Sequence, residues 1–123
     1  MNDEQIFKLL LDCSFRMHSS LGPGLLESAY EECLVFELRK AGLRVERQKS
    51  MPLVYDGEIM EIGYRIDLMV ESRIIVEIKS VEALNDVHLA QILTYLKLSK
   101  LHLGLLVNFN VSSLKKGIRR VII

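Results

Sequence analysis

Between Gly63 and Val81 the chain reads Gly-Tyr-Arg-Ile-Asp-Leu-Met-Val-Glu-Ser-Arg-Ile-Ile-Val-Glu-Ile-Lys-Ser-Val, two apolar strands with Asp67, Glu77 and Lys79 set into them. Strand side chains alternate faces, so Glu77 and Lys79 share a face that Ile74, Val76 and Ile78 do not. An unpaired charge in such a fabric costs several kcal/mol to desolvate. Two carboxylates about 4 Å apart also repel by roughly 4 kcal/mol at an effective dielectric on the order of 20. A divalent cation removes both penalties together. Register decides whether the groups meet. A loop centred on Ser72 sets Asp67 opposite Glu77, whereas a two-residue turn at 71–72 sets it opposite Val76 and points it away.

If they meet, Asp67, Glu77 and the Ile78 carbonyl offer oxygen ligands to a hard cation, Mg²⁺ or Mn²⁺. Lys79 then stands where it can orient a bound water or stabilise charge growing on phosphorus, a set of parts suited to phosphodiester hydrolysis.

The flanking chain predicts the scaffold. Apolar positions at helical spacing run through residues 3–19, with Asn2 or Asp3 as cap, until Leu21-Gly-Pro-Gly24 breaks the pattern. A second helix is expected from about 25 to 41, with Leu26, Ala29, Tyr30, Cys33, Leu34 and Leu38 on its core side and Gly42 as its stop. Period-two alternation from Leu43 predicts an edge strand, and Asp56-Gly57 a hairpin turn. The strands of the opening stretch span 64–70 and 74–79. Asn85-Asp86 starts a third helix to about Ser99, apolar nearly all round and so expected deep against a sheet. Leu101–Phe109 reads as a central strand, parallel to 74–79 and reached by crossover, before a terminal strand.

A chain of 123 residues is expected to form one domain, 1–123. Its formal net charge is zero, but residues 1–62 carry 7 basic against 11 acidic side chains and residues 63–123 carry 9 against 5. Cys13 and Cys33 lack the spacing of a zinc site and read as reduced, buried thiols. With no signal-peptide pattern and no apolar run of the ~20 residues that span a bilayer, the expectation is a cytoplasmic protein without a membrane partner.

Asp67, nine intervening residues and Glu77-Ile78-Lys79 resemble the signature of the PD-(D/E)xK nuclease superfamily, with Ile66 in place of the proline. Gly24-Leu-Leu-Glu27-Ser-Ala-Tyr30 is similar to the motif that names its GxxExxY branch, and Gly63–Asp67, His88–Tyr95 and Gly117–Arg120 extend the likeness over nearly the whole chain. The resemblance implies an α/β, restriction-endonuclease-like fold: a mixed sheet of antiparallel strands plus a parallel crossover strand, flanked by helices. It implies a Mg²⁺- or Mn²⁺-dependent nuclease acting on DNA or RNA, with Asp67, Glu77 and Ile78 as metal ligands. Lys79, Glu27 and Gln91 become the catalytic set. Tyr30, Arg65 and Tyr95 are candidate substrate contacts, although Tyr30 and Tyr95 equally suit core positions with their hydroxyls tied off, and Arg65 equally suits a pair with Glu61 across the bend. His88, one turn before Gln91, borders that set. The alternative is an inactive nuclease-fold module that binds nucleic acid or protein. A homodimer through the terminal strand or the first helix is a further expectation.

Overall fold

A computed structural model describes residues 1–123. In chain order the elements are α1 (Asp3–Leu21), α2 (Glu27–Lys40), β1 (Val45–Met51), the short hairpin β2 (Val54–Tyr55) and β3 (Glu58–Ile59), β4 (Tyr64–Val70), β5 (Ile74–Lys79), α3 (Asp86–Ser99), β6 (Leu103–Asn108) and β7 (Ile118–Ile122), with a 3₁₀ turn at Leu114–Gly117. The five-stranded sheet has the order β1-β4-β5-β6-β7. Only β5 and β6 run parallel, joined by α3 as the crossover. This is the mixed α/β, restriction-endonuclease-like architecture expected. No helix is long and apolar enough to cross a membrane.

Local chemistry explains the boundaries. Asn2 caps α1 and Asn85 caps α3, each accepting the N3 amide while the N3 side chain answers the cap amide. In α3 that answering group is Nδ1 of His88, 3.1 Å from the Asn85 amide, so His88 serves the helix start. Asp56 and Gly57 both take positive φ (53° and 79°) between β2 and β3, the turn that matches strand twist.

The two faces of the sheet are covered unequally. α1 and α2 close one face over a cluster containing Leu10, Leu34, Leu38, Leu68, Val76 and Phe109. α3 lies alone on the other, over a smaller cluster with Ile66, Ile75 and Leu106. The all-round apolar α3 is therefore not deep: only Ile92 and Leu96 are buried, and Val87 remains 74% exposed. No further element packs on its outer side. Two smaller expectations also change. Leu26 is an exposed N-cap outside the core, and Cys33 is only half-buried, unlike Cys13.

Candidate active site

The β4–β5 hairpin takes the site-forming register. Val70 faces Ile74, Met69 faces Ile75 and Leu68 faces Val76, the register that, extended by one residue, sets Asp67 opposite Glu77. Glu71 and Ser72 adopt positive φ (54° and 55°), and Arg73 is the extra residue that makes the loop odd.

Backbone pairing between the two strands stops at Leu68–Val76. Beyond it the strands part, β4 staying with β1 and β5 with β6. The carboxylates bridge the parting: the Asp67 amide donates to Glu77 Oε2 at 2.9 Å, and the Ile78 amide donates to Asp67 Oδ2 at 2.9 Å. One oxygen of each carboxylate thus replaces a lost backbone partner.

Both strands of the β1–β4 pair also change face here. Leu68 and Val70 pack under α1 and α2, whereas Ile66 and Tyr64, of the same parity, pack beside α3. In β1 the same change separates Val45 from Met51. Gln48, with φ of +47°, stands at the switch.

Burial and repulsion leave their mark on the acids. Glu77 is 2% exposed; burial first, then the charge of Asp67, push its carboxyl from an ordinary 4.5 up to about 8. Asp67 is likewise raised, by burial above all, with Glu31 and Glu27 adding negative charge against the Ile78 amide and Lys79.

Lys79, at the end of β5, donates through Nζ to Gln91 Oε1 at 2.8 Å. Gln91 in turn donates to the Tyr95 hydroxyl at 3.3 Å, and Tyr95 stacks on Tyr64 with centroids 4.9 Å apart. Burial raises the phenols of both tyrosines. The polar Gln91 within an apolar helix thus has the lysine as its partner.

The remaining residues divide. Glu27 is exposed in the first turn of α2, without a hydrogen bond of its own. The loop before it is stitched to the chain after Lys79, because Ser80 Oγ donates to the Leu25 carbonyl at 2.6 Å. Tyr30, expected among substrate contacts, is 0% exposed; its hydroxyl donates to Gly22 O at 2.5 Å and accepts from the Leu25 amide at 3.2 Å. It braces that loop and has no face open to a substrate. Arg65 is exposed and makes no ion pair.

Two residues that the pattern reading passed over lie against the site. Glu31 is buried, pairs with Arg47 at 3.0 Å and accepts from Gln48 Nε2 at 2.5 Å; the same amide reaches Asp67 Oδ1 at 3.5 Å. A signal for Glu31 existed. It follows the buried Tyr30 and lies one turn from the buried Val35, an acid on the apolar side of α2.

A family model for the PD-(D/E)XK nuclease superfamily matches residues 4–121. The chain belongs to that superfamily. No curated protein and no solved structure matches it. PD-(D/E)XK nucleases typically use divalent metal ions, and the residues here fit one. The donor set is all oxygen, both acids are raised by uncompensated burial, and each keeps a carboxylate oxygen not taken by a backbone amide. It is a two-carboxylate site, since no three His, Cys, Asp or Glu side chains converge.

Proposed function

We propose that this PD-(D/E)XK protein is a Mg²⁺- or Mn²⁺-dependent nuclease of the GxxExxY branch, hydrolysing phosphodiester bonds of DNA or RNA in the cytoplasm as a single domain. The observation that carries the reading is the arrangement at the parted strands. The Asp67 and Glu77 carboxylates bridge the gap there, and Lys79 is held at 2.8 Å by Gln91.

Asp67, Glu77 and the Ile78 carbonyl would hold the ion. When bound it supplies an acidified water and neutralises phosphate charge. Lys79 brings a positive charge to the phosphate oxygens, and Gln91, steadied by Tyr95, fixes where that charge stands. Glu27 adds a solvent-exposed carboxylate from the first turn of α2. Arg65 and Tyr95 extend the surface offered to the nucleic-acid backbone.

The test is cleavage of single- and double-stranded DNA and RNA with Mg²⁺ or Mn²⁺. Asp67→Ala and Lys79→Ala should each lower the rate by about 100-fold or more. Cleavage intact in both variants overturns the reading. The competing one, an inactive module, draws on the zero net charge and the absence of a third converging acid. On that reading Mg²⁺ leaves the melting temperature unchanged. A homodimer through the exposed edge of β7 or through α1 is a further part of the proposal, checked by sedimentation.

A further inference from the structure

Gln48 occupies a position that its side chain does not favour. A non-glycine residue at φ +47° inside a strand carries strain, and such strain persists only where surrounding structure enforces it. The enforcement is visible. Its amide lies between two acids, 2.5 Å from Glu31 Oε1 and 3.5 Å from Asp67 Oδ1, and both contacts are made by Nε2. An amide nitrogen has two protons, one for each acceptor. The opposite orientation would set the amide oxygen against both carboxylates, so chemistry selects this one. Glu31 is itself anchored, with Oε2 taken by the Nε and Nη2 of Arg47 at 3.3 and 3.0 Å.

We infer that Gln48 is a positioning residue for the Asp67 carboxylate. It links Asp67 Oδ1 to the buried Glu31, itself tied to the partly exposed Arg47, while the Ile78 amide fixes Oδ2. The left-handed backbone at Gln48 is what lets a side chain on the edge strand reach both α2 and β4 at the face switch. This inference rests on the nuclease reading for its purpose and on the metal-free contacts for its geometry.

Gln48→Asn separates side chain from backbone. Asparagine tolerates positive φ better than glutamine, so the strand keeps its backbone conformation. Its shorter amide cannot span Glu31 and Asp67 together. Hydrogen exchange of the Ile78 amide, followed by NMR without metal, should become about tenfold faster while the Leu68 and Val76 amides stay as in wild type. Mn²⁺ affinity, read by electron paramagnetic resonance, should fall by roughly 10- to 100-fold. Unchanged Ile78 exchange overturns the inference, as does unchanged Mn²⁺ affinity where the wild type binds the ion. Accelerated exchange spread evenly over β1 and β4 also overturns it, because that marks a role in the strand alone. A wild type that binds no Mn²⁺ removes the metal reading instead, and Ile78 exchange then decides the role of Gln48.

Discussion

At the residue scale, the site is expensive where it is useful. Glu77 keeps its proton up to about pH 8 in the folded chain, whereas in the unfolded chain it releases it near 4.5. Between those values the unfolded state binds fewer protons, so stability falls as pH rises through the window. A shift of this size corresponds to ~2–5 kcal/mol for the metal-free protein. Glu77→Gln keeps an acceptor for the Asp67 amide and carries no charge. It should abolish that slope and raise the metal-free melting temperature at pH 8 by on the order of 5–10 °C, measured by calorimetry across pH. A variant whose melting temperature falls with pH as steeply as wild type would show that the buried repulsion lies elsewhere. Glu31 shows why part of the site escaped the pattern reading. Motif spacing points to Glu27, which the fold leaves exposed, while the acid four residues later is buried and pairs with the partly exposed Arg47.

At the element scale, α3 is held by few contacts and yet carries Gln91 and Tyr95. Its buried side chains, Ile92 and Leu96, sit over Gly104 of β6. A Cβ at Gly104 would meet Ile92 Cδ1 at 2.9 Å, the Ile75 carbonyl oxygen at 3.2 Å and Leu96 Cδ1 at 3.3 Å. Gly104→Ala should therefore lift α3, costing about 1–3 kcal/mol in denaturant unfolding. It should also lower cleavage further than Phe36→Ala, an exposed change on α2 far from these contacts. Equal activity in the two would show that the helix does not need this close approach. Most elements were legible because their ends carry chemical punctuation: Asn2, Asn85, Gly42 and Asp56-Gly57. The face switch was not, because period-two reasoning assumes one pleat along a whole strand, and Gln48 gives no compositional sign of its positive φ. The depth of α3 was misread for a related reason. An apolar helix reveals its own surface, but not whether anything covers it.

At the scale of the whole molecule, the uneven charge of the two halves is partly resolved by folding. Arg120 pairs with Glu4 and Arg73 with Asp3, linking the late positives to the start of α1. Such exposed pairs add little stability each; Lys97, Lys100, Lys115, Lys116 and Arg119 stay unpaired on a protein of zero net charge. Topology adds a consequence in time. The Asp67–Glu77 pair is closed by the shortest connection in the five-stranded sheet, while β5 reaches β6 only through α3. Local contacts form before distant ones, since their loops cost less entropy to close. The repulsive pair is thus assembled early, when little else has been gained. Glu77→Gln should accelerate folding in stopped-flow experiments at pH 8 while changing the unfolding rate little. Should the gain appear instead as slower unfolding, the hairpin closes late. A chain with this register carries two like-charged acids across its own folding barrier, so the folding rate is expected to vary with the pH of the medium.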